Sequence, residues 1–66
     1  MTSYKSAVKA KGDYVLDYVE SFLGRRPCYF IGKGRVAGNT TPIKHALQQT
    51  PRQAWKAAAM ALRLLN

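Results

Sequence analysis

The sequence predicts a small α+β domain, helix-dominated and single over residues 1–66, and three observations carry that reading. Apolar and aromatic residues recur at helical spacing from Tyr14 to Leu23. A short aromatic and β-branched run, Cys28–Ile31, is broken by Gly32 and Gly34. An Ala-rich stretch then follows Thr50-Pro51.

The first element is an amphipathic N-terminal helix. On a wheel of about 100° per residue, Tyr14, Tyr18 and Phe22 form one row, with Val15, Val19 and Leu23 beside it. Asp13, Asp17, Glu20 and Lys9 fall on the opposite side, so a wide apolar face is set against a polar one. Gly24 supplies the stop, with Pro27 shortly after. Two starts fit. Ser3 caps a long helix, or Gly12-Asp13 opens a shorter one and residues 1–12 form a flexible basic arm with Lys5, Lys9 and Lys11.

The second element is a short β-strand or hairpin, since Tyr29, Phe30 and Ile31 suit a pleated surface. In one arrangement Tyr29–Ile31 turns on Gly32-Lys33-Gly34 and pairs with Arg35–Ala37. In the other the stretch is a single strand that pairs with residues 43–47. A two-stranded ribbon is barely stable alone, so either must pack on helices. Only one of Tyr29 and Phe30 can face inward on a regular strand; the expectation is Phe30 in and Tyr29 out.

The third element is the clearest. Thr50 is a good N-cap, Pro51 suits the first helical position, and Gln53 completes a capping box. The following residues have very high helix propensity. Thr41-Pro42 likewise opens a short helix over 42–49, favoured over the strand that Ile43, His45 and Leu47 would make by alternation. The expected core is Tyr14, Val15, Tyr18, Val19, Phe22, Phe30, Ile31, Leu47, Trp55, Ala58, Leu62 and Leu65. A strand followed by an Ala-rich closing helix is faintly similar to the last helix of double-stranded-RNA-binding domains. The chain before it reads as too short for that family's sheet, and the family's basic phosphate-contact motif is not reproduced, so membership is not assigned.

Charge is the main functional signal. The formal net charge is +8, and all three acids, Asp13, Asp17 and Glu20, lie within residues 13–20. From Ser21 onward every charged residue is basic. Such a one-sign stretch builds a field that recruits polyanions. Arg52, Lys56 and Arg63 fall within about 40° of one another on the last helix, a spacing that follows a phosphate backbone. Arg25, Arg26, Lys33 and Arg35 interleave with Tyr29 and Phe30, as suits bases stacking on rings while cations meet phosphates. Gly32-Lys33-Gly34-Arg35 reads as a turn rather than a phosphate nest.

Catalysis finds no support. His45 is the only histidine and Cys28 the only cysteine, which excludes an internal disulfide and a four-ligand zinc site. Asp13 and Asp17 have carboxylate-pair spacing but read as partners of nearby charge and the helix start. The expectation is therefore a non-enzyme without cofactor that binds nucleic acid, DNA or RNA. Its contacts are Arg25, Arg26, Tyr29, Lys33, Arg35, Arg52, Lys56 and Arg63. The rival is a phage- or mobile-element-type inhibitor or adaptor, docking on an acidic or nucleic-acid-binding host protein such as a polymerase or CRISPR effector. Trp55 or Tyr29 would anchor that contact. A cytoplasmic setting fits the lone cysteine and the short apolar runs. No membrane partner is expected, and the small size is compatible with a homodimer.

Overall fold

The computed structural model describes residues 3–20 and 26–64. Its order is helix α1 (Tyr4–Lys9), strands β1 (Tyr14–Glu20), β2 (Pro27–Lys33) and β3 (Thr41–Pro42), and helix α2 (Pro51–Ala61). The three strands form one antiparallel sheet with β2 in the middle. The α+β class expected from the sequence is therefore the observed one, although the elements are distributed differently.

The largest correction concerns residues 14–20, expected as helix and folded as β1. Tyr14, Val15, Tyr18 and Val19 are aromatic or β-branched, and such side chains pack well on a pleated surface. β1 pairs with the whole of β2, from Tyr14 opposite Lys33 to Glu20 opposite Pro27. The N-terminal helix lies earlier, over Tyr4–Lys9, and Ser3 caps it by accepting the Ser6 N–H at 3.1 Å. Val8 of this helix is fully buried. A three-stranded sheet does fit before α2, because two strands have seven residues and the third only two.

Neither the hairpin onto Arg35–Ala37 nor the helix over 42–49 forms. Residues 41–48 instead run along the outer edge of β2 and satisfy its backbone. Thr41 and Pro42 pair with Lys33 and Gly32. Ile43 N–H donates to the Ile31 carbonyl at 3.3 Å, and Tyr29 and Gln48 exchange N–H···O bonds of 2.7 and 2.8 Å. This resembles the single-strand alternative, with Pro42 tolerated because it lies on an edge.

Helix α2 is as expected. Thr50 Oγ1 accepts the Gln53 N–H at 3.1 Å, and Pro51 opens the first turn. The helix closes at Leu62, with Arg63 N–H on the Met60 carbonyl and Leu64 N–H on the Ala59 carbonyl. That pair of bonds is a Schellman motif, whose left-handed position is usually glycine. Here Arg63 occupies it, with φ 58°.

Helix α2 packs on one face of the sheet, and α1 packs on α2. Val8, Ile31, Ala54, Trp55, Ala58 and Ala59 are buried there, with Tyr14, Leu16, Tyr29, Ile43, Leu62 and Leu64 packed around them. By alternation, Val15, Asp17, Val19, Cys28, Phe30 and Gly32 point to the opposite face. The expected orientation of the two aromatics is thus reversed: Tyr29 packs on the core and Phe30 faces away from the helices. Tyr18, Val19 and Leu47, expected inside, are 57%, 43% and 53% exposed. Phe22 and Leu65 lie outside the described residues.

Candidate nucleic-acid interface

The helical layer carries cations and no acid. Helix α1 bears Lys5 and Lys9, and helix α2 bears Arg52 and Lys56, all exposed. Spacing of i, i+4 puts each pair on one side of its helix. The two helices pack against each other, and Trp55 lies between them at 7% exposure. The Nζ atoms of Lys5 and Lys9 both stand 5.9 Å from the centroid of the Trp55 ring. At that distance the ring quadrupole attracts each ammonium, which steadies two long side chains that would otherwise roam. Arg52 and Lys56 flank the same Trp55 at i−3 and i+1.

Lys9 also lines an open cleft of about 330 Å³, together with Asp13, Tyr14, Gly34 and Arg35. Arg35 donates its Nε–H to Asp13 Oδ2 at 3.1 Å, with both side chains largely in solvent. Carboxylate pairing at Nε still leaves the terminal edge of a guanidinium fork to bond a phosphate. Lys33 precedes this loop at the end of β2 and is exposed. The cationic surface therefore runs from α2, past Trp55 and α1, to the loop after β2.

The expected site residues divide. Arg52 and Lys56 sit together in the first turns of α2; Lys33 is the last residue of β2, and Arg35 follows it on the loop. Arg26 lies just before the other end of β2, roughly 20 Å from Lys33 at about 3.3 Å per residue. Arg63 is exposed but stands past the last turn of α2, so it does not continue the row of Arg52 and Lys56. Tyr29 is half-buried on the helix side, its ring 6.4 Å from that of Tyr18. It is not an outward stacking platform. Arg25 lies outside the described residues.

Sequence reasoning left Lys5 and Lys9 out of the site, because they fell in the segment read as arm or helix start. The signal was present in the Ser3 cap and in the four-residue spacing of the two lysines. It also missed the acids' task. Asp17, only 8% exposed, accepts the Tyr18 N–H at Oδ1 (2.9 Å), and at Oδ2 both the Gly38 N–H (2.9 Å) and the Thr40 hydroxyl (3.0 Å). The Gly38 and Tyr18 amides, with help from Thr40, hold this carboxyl below its ordinary value of 3.8, against the opposing effect of burial.

Among the described residues, no three His, Cys, Asp or Glu side chains come together as a metal would require. No helix among them is long and apolar enough to cross a membrane. No family model, curated protein or solved structure matches the chain.

Proposed function

We propose that this protein binds nucleic acid through phosphate contacts, without catalysis. The observation that carries the reading is the segregation of charge. Two helices packed on one another present Lys5, Lys9, Arg52 and Lys56 with no acid on either, while the three acids lie in residues 13–20. Cations on short, packed helices keep their spacing, and fixed spacing is what a regular array of phosphates rewards. The aromatic residues support a duplex over a single strand. Tyr29, the ring expected to stack on bases, packs inward against the core and offers no outward platform for a base.

Fluorescence anisotropy with duplex and single-stranded DNA and RNA tests this. Binding should favour a duplex and fall steeply with salt, with log K dropping by roughly 0.9 per phosphate neutralised for each decade of salt. Binding that stays level as salt rises sinks the mechanism.

The rival reading, docking on an acidic host protein, draws on a different observation. Strand β1 is an outer strand of the sheet and exposes Tyr18 and Val19, and such edges accept strands from partners. Trp55 and Tyr29, the anchors expected for that reading, are turned into the core, so Tyr18 would take the role. A Tyr18→Ala change should leave duplex binding intact and abolish a protein contact.

A further inference from the structure

Two of the three acids in this basic chain hold a single loop. Residues 34–40 leave the end of β2 and cross the sheet face that carries no helix. Asp13 accepts the Gly34 N–H through its carbonyl (2.9 Å) and the Arg35 Nε–H through its carboxylate (3.1 Å). Asp17 takes the Gly38 N–H and the Thr40 hydroxyl on one oxygen, and its other oxygen takes the Tyr18 N–H. Thr40 lies directly on Gly32, where a Cβ would collide with the Thr40 side chain. Gly38, at φ 88°, adopts a turn that few other residues tolerate. The loop has no helix or strand of its own, yet Asp13, just before β1, and Asp17, within it, tie it near both ends.

What the ties hold in place is cationic. Lys33 stands at the loop's entry, Arg35 on its first turn beside Lys9 in the same cleft, and Val36, 63% exposed, next to Arg35. A loop ordered before its ligand arrives loses less entropy when it binds. Acids should oppose attraction to a polyanion, yet these two are placed where they organise the cations instead. We propose that Asp17, with Asp13, is a positioning residue for phosphate recognition, fixing the 34–40 loop so that Arg35 is presented beside Lys9, next to the Lys33 that β2 already holds. This rests on the nucleic-acid reading above.

The chemistry at Asp17 calls for a carboxylate in particular. Three donors converge on two oxygens, and an asparagine in either amide orientation would set an N–H₂ against a backbone N–H. Asp17→Asn therefore loosens the loop while making the chain one unit more positive. Simple electrostatics and loop positioning then predict opposite outcomes.

The experiment is anisotropy of a 20-base-pair duplex RNA and the matching DNA over a salt series. It compares wild type, Asp17→Asn, Thr40→Val and Glu20→Gln, with amide hydrogen exchange on each. Glu20→Gln should bind as tightly as wild type or more tightly. Asp17→Asn and Thr40→Val should bind several-fold more weakly, with a salt slope smaller by about one as Arg35 disengages, roughly 0.9 per contact. Exchange at Gly38 should quicken while Ile31 stays protected. Asp17→Asn binding as tightly as wild type, at full slope, overturns the proposal. Should that variant fail to fold, Thr40→Val decides, since it leaves the net charge at +8. If wild type binds neither duplex, the nucleic-acid reading itself has failed and the positioning role falls with it; duplex binding insensitive to Thr40→Val fails the loop alone.

Discussion

The imidazole of His45 stands in for a backbone carbonyl: its Nε2 accepts the Ile31 N–H at 3.1 Å, in the row where Ile43 and Gln48 bond β2 directly. Its Nδ1 lies 2.9 Å from the Ala46 carbonyl. An acceptor at Nε2 and a carbonyl at Nδ1 require the neutral tautomer with hydrogen on Nδ1. The side chain thus lets the chain step away from β2 between Ile43 and Gln48 without orphaning a donor next to a fully buried side chain.

His45→Ala should destabilise the fold by about 1–3 kcal/mol, the penalty for leaving a buried donor unsatisfied. Urea denaturation measures this, and long-range ¹⁵N spectra of the wild type should report the Nδ1–H tautomer. An unchanged midpoint would mean that water takes over the Ile31 N–H.

Asp17 predicts an acid limb in stability. Its folded-state value is lowered from 3.8 by amide hydrogen bonds. The stabilisation is therefore complete well above 3.8 and is lost as pH falls through that value toward the lower folded-state one. Urea midpoints measured from pH 5 downward should fall more steeply for wild type than for Asp17→Asn. Parallel curves would assign the acid limb to other carboxyls.

Gly32 and Thr40 should be coupled. Gly32→Ala places a methyl group against Thr40, and overpacking of this kind costs about 1–3 kcal/mol. Thr40→Gly alone removes a hydrogen bond to Asp17. Because that change also takes away the Thr40 Cβ and Oγ1 that the added methyl would meet, the double variant should be more stable than the sum of the singles implies. Additive values would show that the loop shifts aside freely.

Arg63 should separate stability from binding. A left-handed residue with a Cβ is disfavoured by about 1–2 kcal/mol, so Arg63→Gly should raise the thermal midpoint by several degrees, at roughly 4–8 °C per kcal/mol for a domain near this size. If Arg63 meets a phosphate, the same change reduces the salt slope of duplex binding by about 0.9. Calorimetry and a salt titration on one variant read both effects.

Lys5 and Lys9 should matter more to binding than to folding. Replacing both with Met removes two exposed cation–π contacts, about 0.5–1 kcal/mol each. The salt slope should fall by about two, at roughly 0.9 per contact. An unaltered slope would remove α1 from the interface.

How far the sequence could be read depended on whether the deciding contacts were local. Thr50, Pro51 and Gln53 settle the start of α2 within four residues, and Ser3 does the same for α1. Residues 14–20 satisfy a helical wheel and a strand alternation equally, and the acids at 13, 17 and 20 tip the wheel toward helix. What decides for a strand is β2, seven residues of partner backbone further along the chain. Asp17 looked like a surface charge because its three donors come from Tyr18, Gly38 and Thr40, two of them more than 20 residues away. The basic character of the candidate interface is a matter of composition and was legible from the sequence. The division of Arg26 from Lys33 was not, since it follows from the extended length of β2. The membership of Lys5 and Lys9 depends on how α1 docks against Trp55.

That docking joins elements from opposite ends of the chain. Helix α1 spans only six residues, too few to hold helical structure alone in water. It therefore forms on α2 after a long stretch of chain has closed, and long-range closure of that kind comes late in folding. Its amides should be the first helical ones to exchange from the native state. The part of the cationic surface that Lys5 and Lys9 supply is then the part opened most easily, and under the proposed function duplex binding and local folding would be one equilibrium at this first turn.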